Sequence, residues 1–357
     1  MNKEDNILSF KIGATFLGTI VGAGFASGQE ILQFFTIYRF DGFIGIAVAV
    51  ILFWILGTIT LNIAHIIKRK SYHDFLIYVC GKKLGMIIDI AITIFLFGTL
   101  NVMLSATGAL FYEHFGLPYY FGIILTIVPV ILVTIKGIKG VINVNSIIAP
   151  MMVLIVITVS CLCLYYHATG DLIRNLHYED DYTFKWLMSS LLYVAYNIIL
   201  AIPVLVPIGK EIDKKVFVKG ITIGTVSMGL LIFLLNTVIL NHIEQDSLYQ
   251  IPMLYIVKPF SDFIRYCFIV ILWLEIFTTI VSNLFGLANR IQAAIKMDYK
   301  KVVIIICALC MFISRLDFKT LLTILYPTFG FIGLLFITFL ILKEIYIRVK
   351  RWGSKLL

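Results

Sequence analysis

The sequence predicts an all-α membrane protein of ten spans, on three observations. Of the 357 residues, 61% are hydrophobic and only 14% are charged. The apolar residues come in runs of about twenty, the length that crosses a hydrocarbon core of about 30 Å. Those runs lack the alternation of polar and apolar positions that a soluble core would show. The basic residues are also unevenly placed. With the N-terminus in the cytoplasm, 22 of the 29 lysines and arginines fall on inside segments, and seven (Arg39, Arg174, Lys185, Lys258, Arg265, Arg315 and Lys319) fall outside. Such a bias sets orientation. It predicts cytoplasmic N- and C-termini and an even span count, because one span more or fewer would mix the two sets.

The same numbers exclude other classes. A net charge of +9 would suggest nucleic acid in a soluble chain, but here it reports topology and no nucleic-acid partner is expected. Cys80, Cys161, Cys163, Cys267, Cys307 and Cys310 lie mostly inside apolar runs without histidines at metal spacing, so they read as small buried hydrophobes. No phosphate loop, nucleophile triad or histidine pair is present, and the chain is not expected to be an enzyme or to hold a cofactor other than an ion. The opening Met1 to Asn6 lacks a basic leader region, so the first span is expected to be retained in a single domain, 1–357.

The first span, about 10–36, holds Gly18, Gly22, Gly24 and Gly28 within eleven positions and then the carboxylate of Glu30. Glycine costs roughly 1 kcal/mol against alanine in a helix interior, which predicts a span that does not stay helical. Unwound backbone in lipid survives only against protein or a watery cavity. The glycines also fit a close-packing face, since Gly18/Gly22 and Gly24/Gly28 each read as small-xxx-small. The remaining spans are drawn at about 42–67, 86–112, 119–135, 143–166, 186–208, 216–240, 263–290, 302–314 and 321–342.

Ten spans divide into two sets of five, about 10–166 and 186–342, and an odd number per set forces the second to cross in the opposite sense. An inverted repeat is then expected. The connector between spans two and three, His65 to Lys83, and that between spans seven and eight, Asn241 to Asp262, occupy corresponding positions. Both carry apolar residues at helical spacing, such as Phe75, Leu76 and Val79, or Ile251, Leu254 and Tyr255. They also fit ordinary surface loops. By the same correspondence the sixth span, with Pro203 and Pro207, is expected to break as the first does. Two interrupted spans in corresponding positions point to a transporter site.

The Gly18-Thr-Ile-Val21-Gly22-Ala-Gly24 core resembles the broken first helix of the amino acid–polyamine–organocation superfamily and of LeuT-type sodium symporters. Within that group, Val-Gly-Ala-Gly-Phe-Ala-Ser-Gly-Gln-Glu-Ile at 21–31 resembles the YkvI family of bacterial membrane proteins. The resemblance implies a LeuT-type 5+5 fold with discontinuous helices one and six, in a bacterial cytoplasmic membrane. It also implies a secondary transporter for a small organic solute, an amino acid or related metabolite, driven by sodium or protons. A small-molecule sensor is the alternative, because spore-germination receptor subunits share the fold. Motif to motif, the implied sodium donors are the carbonyls of Gly18 and Val21 with the side chains of Thr279 and Ser282. Asn283 departs from the pattern, where a second hydroxyl is common. The implied solute site takes in Gly22, Ala23, Gly24 and Phe25 of the break, Asn101 of span three, and Tyr193, Tyr196 and Asn197 of span six.

Acids inside a membrane are costly and are functional candidates by default. Glu30 follows the break, where it would gate or take up a proton, or would cap freed N–H groups. Glu275 sits mid-span among Trp273, Leu274, Ile276 and Phe277, the better-placed proton carrier. Asp89, near Lys82 and Lys83, reads as an interfacial ion pair.

Overall fold

Long apolar runs in lipid fold as helices, because a helix satisfies each N–H and C=O within its own segment. The computed structural model describes residues 2–68, 71–166, 175–176, 184–242, 251–313 and 326–353. Among them the elements are helical throughout: α1 (Lys3–Ile20), α2 (Ala23–Ala26), α3 (Gln29–Phe34), a 3-10 turn (Thr36–Tyr38), α4 (Arg39–Ile67), α5 (Tyr72–Cys80) and α6 (Lys82–Phe115). There follow α7 (Tyr119–Thr134), α8 (Ile138–Tyr166), α9 (Lys185–Glu211), α10 (Lys214–Asn241), α11 (Pro252–Val257), α12 (Asp262–Ile295), α13 (Tyr299–Ile313) and α14 (Tyr326–Gly353). Seven helical stretches among the described residues are long and apolar enough to cross a membrane. The apolar α7 is shorter, at 16 residues.

The most enclosed of the seven is α9, which has α4 on one side and α14 on another. Its contact with α4 and that of α1 with α10 are the two most extensive among the described residues. The α1–α10 seam is closed by small residues: a Cβ on Gly13 would stand 2.7 Å from the Gly220 carbonyl, and one on Gly224 would stand 2.7 Å from that of Gly13. Close packing of α1 on a neighbouring backbone thus uses Gly13, upstream of the glycines singled out in the sequence.

The expected interruption of span six is not found. Helix α9 runs from Lys185 to Glu211 with Pro203 and Pro207 inside it. Each proline removes one amide donor, yet a helix packed on several sides tolerates that loss. Pro203 is wedged against α12, where a Cβ on Gly286 would come within 2.7 Å of its ring. Both connectors do carry helices. Helix α5 buries Tyr72, Phe75, Leu76, Val79 and Cys80, and α11 buries Pro252, Met253, Ile256 and Val257.

Candidate functional site at the end of α1

Helix α1 stops at Ile20, and Val21 is extended at φ −76°, ψ 119°. The Val21 amide still donates to the Leu17 carbonyl at 2.7 Å, and the next backbone bond runs from the Ala26 amide to the Gly22 carbonyl at 3.0 Å. Among the described residues no backbone amide closes onto the carbonyls of Gly18, Thr19, Ile20 or Val21. After α2 the chain turns at Gly28, whose φ of +82° is open to glycine with little strain. Helix α11 docks on this turn, with the Met253 amide donating to the Ser27 carbonyl at 3.0 Å.

The glycines of the break face polar side chains. A Cβ on Gly18 would overlap Asn145 Oδ1, one on Gly22 would stand 3.0 Å from Thr279 Oγ1, and one on Gly24 would overlap the Glu30 carboxylate. The first two therefore let neighbouring helices approach closely and set polar groups against the backbone of the break.

Glu30 lies in the first turn of α3, only 3% exposed. The Tyr196 hydroxyl of α9 donates to its Oε2 at 2.6 Å. Tyr196 and Tyr193 belong to one aromatic cluster: the Tyr193 ring is 5.4 Å from Phe34, 5.0 Å from Phe35, 5.8 Å from Phe53 and 5.6 Å from Tyr196. Phe25 is fully buried. Asn197 donates back to the Tyr193 carbonyl at 3.0 Å. The side chain of Ala23 lies outside the described residues.

On α12, Thr278 and Thr279 both donate to the Glu275 carbonyl, at 3.0 and 2.9 Å. Thr279 thereby spends its proton and keeps its lone pairs. Ser282 Oγ and both carboxylate oxygens of Glu275 are buried without a hydrogen-bond partner among the described residues. Asn283 donates to Thr99 of α6 at 3.0 Å, while Asn101 donates to the Phe97 carbonyl at 2.7 Å and meets Cys310 of α13. A site residue that the sequence reading passed over is Asn145 of α8, fully buried beside Gly18. Its signal was a lone amide pair, Asn143 and Asn145, at the start of an apolar run.

Asp89 is a third buried acid, and its partners are not Lys82 and Lys83, which are exposed. Its Oδ2 is held at 2.6 Å by Arg290 of α12 and at 2.8 Å by His73 of α5, with the carboxylate fully buried. The helical register of α6 turns position 89 inward, so only neighbours across the bundle reach it. Beside this cluster opens a cavity of about 410 Å³ lined by Tyr72, His73, Pro203, Pro207, Phe285 and Arg290, among others.

Two relatives from Bacillus subtilis (strain 168) align over nearly the whole chain. The membrane protein YkvI is 31% identical over 335 residues, 94% of this chain and 95% of its own length. The protein YyaD is 28% identical over 334 residues, 92% and 95%. No family model matches. Among solved structures, MhsT bound to L-phenylalanine superposes with a TM-score of 0.65 at 13% identity, covering 94% of this chain and 88% of that one. A Na+-coupled sialic acid symporter gives 0.64 at 13%, covering 95% and 79%. Inward-facing Mhp1 gives 0.62 at 15%, covering 92% and 73%. At such identities the likeness carries the fold, the LeuT-type transporter fold.

Proposed function

Since the chain belongs to the YkvI family of membrane proteins, we propose that it is a secondary active transporter of a small organic solute, an amino acid or related metabolite. The observation that carries the reading is the end of α1, where among the described residues four successive carbonyls lack amide partners and the side chain of Thr279 stands against Gly22. Interrupted helices that expose backbone at mid-membrane are how such proteins meet ions and solutes. Solved structures of this fold that bind L-phenylalanine or couple sialic acid to Na+ support transport over catalysis.

The reading extends to ten spans in a 5+5 inverted repeat, 10–166 and 186–342, with both termini cytoplasmic. Its support is the pairing of helices. The first span packs on the seventh (α1 on α10) and the sixth on the second (α9 on α4), which are equivalent contacts if the halves correspond. Likewise α5 lies on α6 and α11 on α12. Span six keeps its helix, so the solute site draws its backbone groups from α1 and its rings from α9: Gly22, Gly24 and Phe25 facing Tyr193, Tyr196 and Asn197.

The coupling ion is sodium, held by the Gly18 and Val21 carbonyls with Thr279 and Ser282; a proton carried by Glu275 is the alternative. Glu30 gates the site through Tyr196. Uptake of a metabolite panel into proteoliposomes under an imposed sodium or pH gradient tests this. Sodium-driven uptake that disappears in Thr279→Ala with Ser282→Ala supports the first version, since hard cations need those oxygens. Uptake driven only by a pH gradient and lost in Glu275→Gln selects the second. Solute binding with uptake indifferent to both gradients would overturn coupled transport and leave a facilitator or a sensor.

A further inference from the structure

Resting on the cation site proposed above, we infer that Asn145 of α8 supplies a further side-chain oxygen to it, so that a dehydrated monovalent cation bridges three helices. The orientation of the amide is fixed by its own helix. Nδ2 donates to the Val141 carbonyl at 2.9 Å, which no oxygen in its place could do, and Oδ1 is left facing Gly18. That oxygen is fully buried and has no hydrogen-bond partner among the described residues. An amide oxygen stripped of water and left unpaired destabilises the fold, and buried polar atoms without partners are few in native proteins. Gly18 supplies the room, because any larger residue there would overlap Oδ1.

The surrounding groups say what fills the gap. Among the described residues the carbonyls of Gly18 and Val21 have no amide donor. Thr279 Oγ1, against Gly22, has given its proton to the Glu275 carbonyl. Ser282 Oγ, on the same helix, is buried and has no hydrogen-bond partner among the described residues. Helices α1, α8 and α12 pack against one another, so these oxygens come from three elements that meet. A water has two protons to offer, fewer than the acceptors gathered around the break; a cation satisfies them all. The set is neutral, which suits a single positive charge, since divalent oxygen sites draw on carboxylates. Occupancy would then fasten α8 to α1 and α12, and residue 145 would tune how tightly.

The test is a sodium titration of the purified full-length protein in detergent, read as thermal stabilisation, with choline chloride holding ionic strength constant. Sodium stabilises the wild type, Thr279→Ala with Ser282→Ala abolishes the response, and Asn145→Ala raises half-saturating sodium tenfold or more. Asn145→Asp, which keeps the oxygen and adds charge, responds at or below the wild-type concentration. A merely structural Asn145 would lower the melting temperature of Asn145→Ala at every sodium concentration without moving half-saturation, and that outcome overturns the inference while the two-helix site stands. If Asn145→Ala does not fold, Asn145→Asp decides, and loss of its sodium response is a refutation. A wild type indifferent to sodium overturns both this inference and the sodium version of the proposed function.

Discussion

Removing one oxygen at position 196 leaves the buried Glu30 carboxyl without the donor that now reaches it at 2.6 Å. Tyr196→Phe is therefore expected to lose about 1–3 kcal/mol of stability, read as a drop in melting temperature. Glu30→Gln, which still accepts from the hydroxyl, should lose less; a loss as large as that of Tyr196→Phe would show that the amide does not replace the carboxylate as acceptor. Gly24→Ala should resemble Tyr196→Phe, because its methyl occupies the place of the Glu30 carboxylate. Glu30 and Tyr196 were each legible in the sequence as a polar group in an apolar setting. Their partnership was not, since 166 residues separate them and only the bundle decides which faces meet. The bonds of Asn101 to the Phe97 carbonyl and of Asn283 to Thr99 were likewise not legible in the sequence.

A run of glycines acts through local backbone energetics, and so the end of α1 at Ile20 could be read from the sequence. A proline pair acts through what surrounds it, and so the continuity of α9 could not. Replacing Gly22 and Gly24 by leucine drives side chains into Thr279 and Glu30; the variant should insert and yet bind no solute, and normal binding would show that the break has no part in the site. Helix α5 offers another check. It is tied to the bundle by His73 on Asp89 and by buried Phe75 and Leu76. Burial pushes its Cys80 thiol up to about 12, and since only the thiolate is nucleophilic, maleimide should leave Cys80 unmodified at neutral pH. Asp89→Ala strands Arg290 and releases His73. Breaking a buried pair on one side costs about 3–5 kcal/mol, and alkylation of Cys80 should rise at least severalfold.

Orientation is a property of the whole chain, and the sequence carried it in charge bookkeeping alone. Cysteines introduced at Ser71 and Lys214 should be labelled from the cytoplasmic side; either one reacting only from outside would remove the five-plus-five arrangement. The matching outside positions, Asp180 and Asp246, fall outside the described residues and carry the same expectation. Helix pairing across the two halves was not legible, because side-chain volume at seams such as Gly13 on Gly220 is settled only in three dimensions. The brevity of α7 has a consequence for the surrounding lipid. Its 16 residues span about 24 Å, against about 30 Å of hydrocarbon, while its neighbour α6 runs to 34 residues. A bilayer meeting both carries a hydrophobic mismatch along one flank of the protein, which local thinning relieves. Reconstituted in phosphatidylcholines of increasing acyl length, the protein should lose stability and turnover fastest in the thickest membranes, and the annular lipid beside α7 should be enriched in shorter chains.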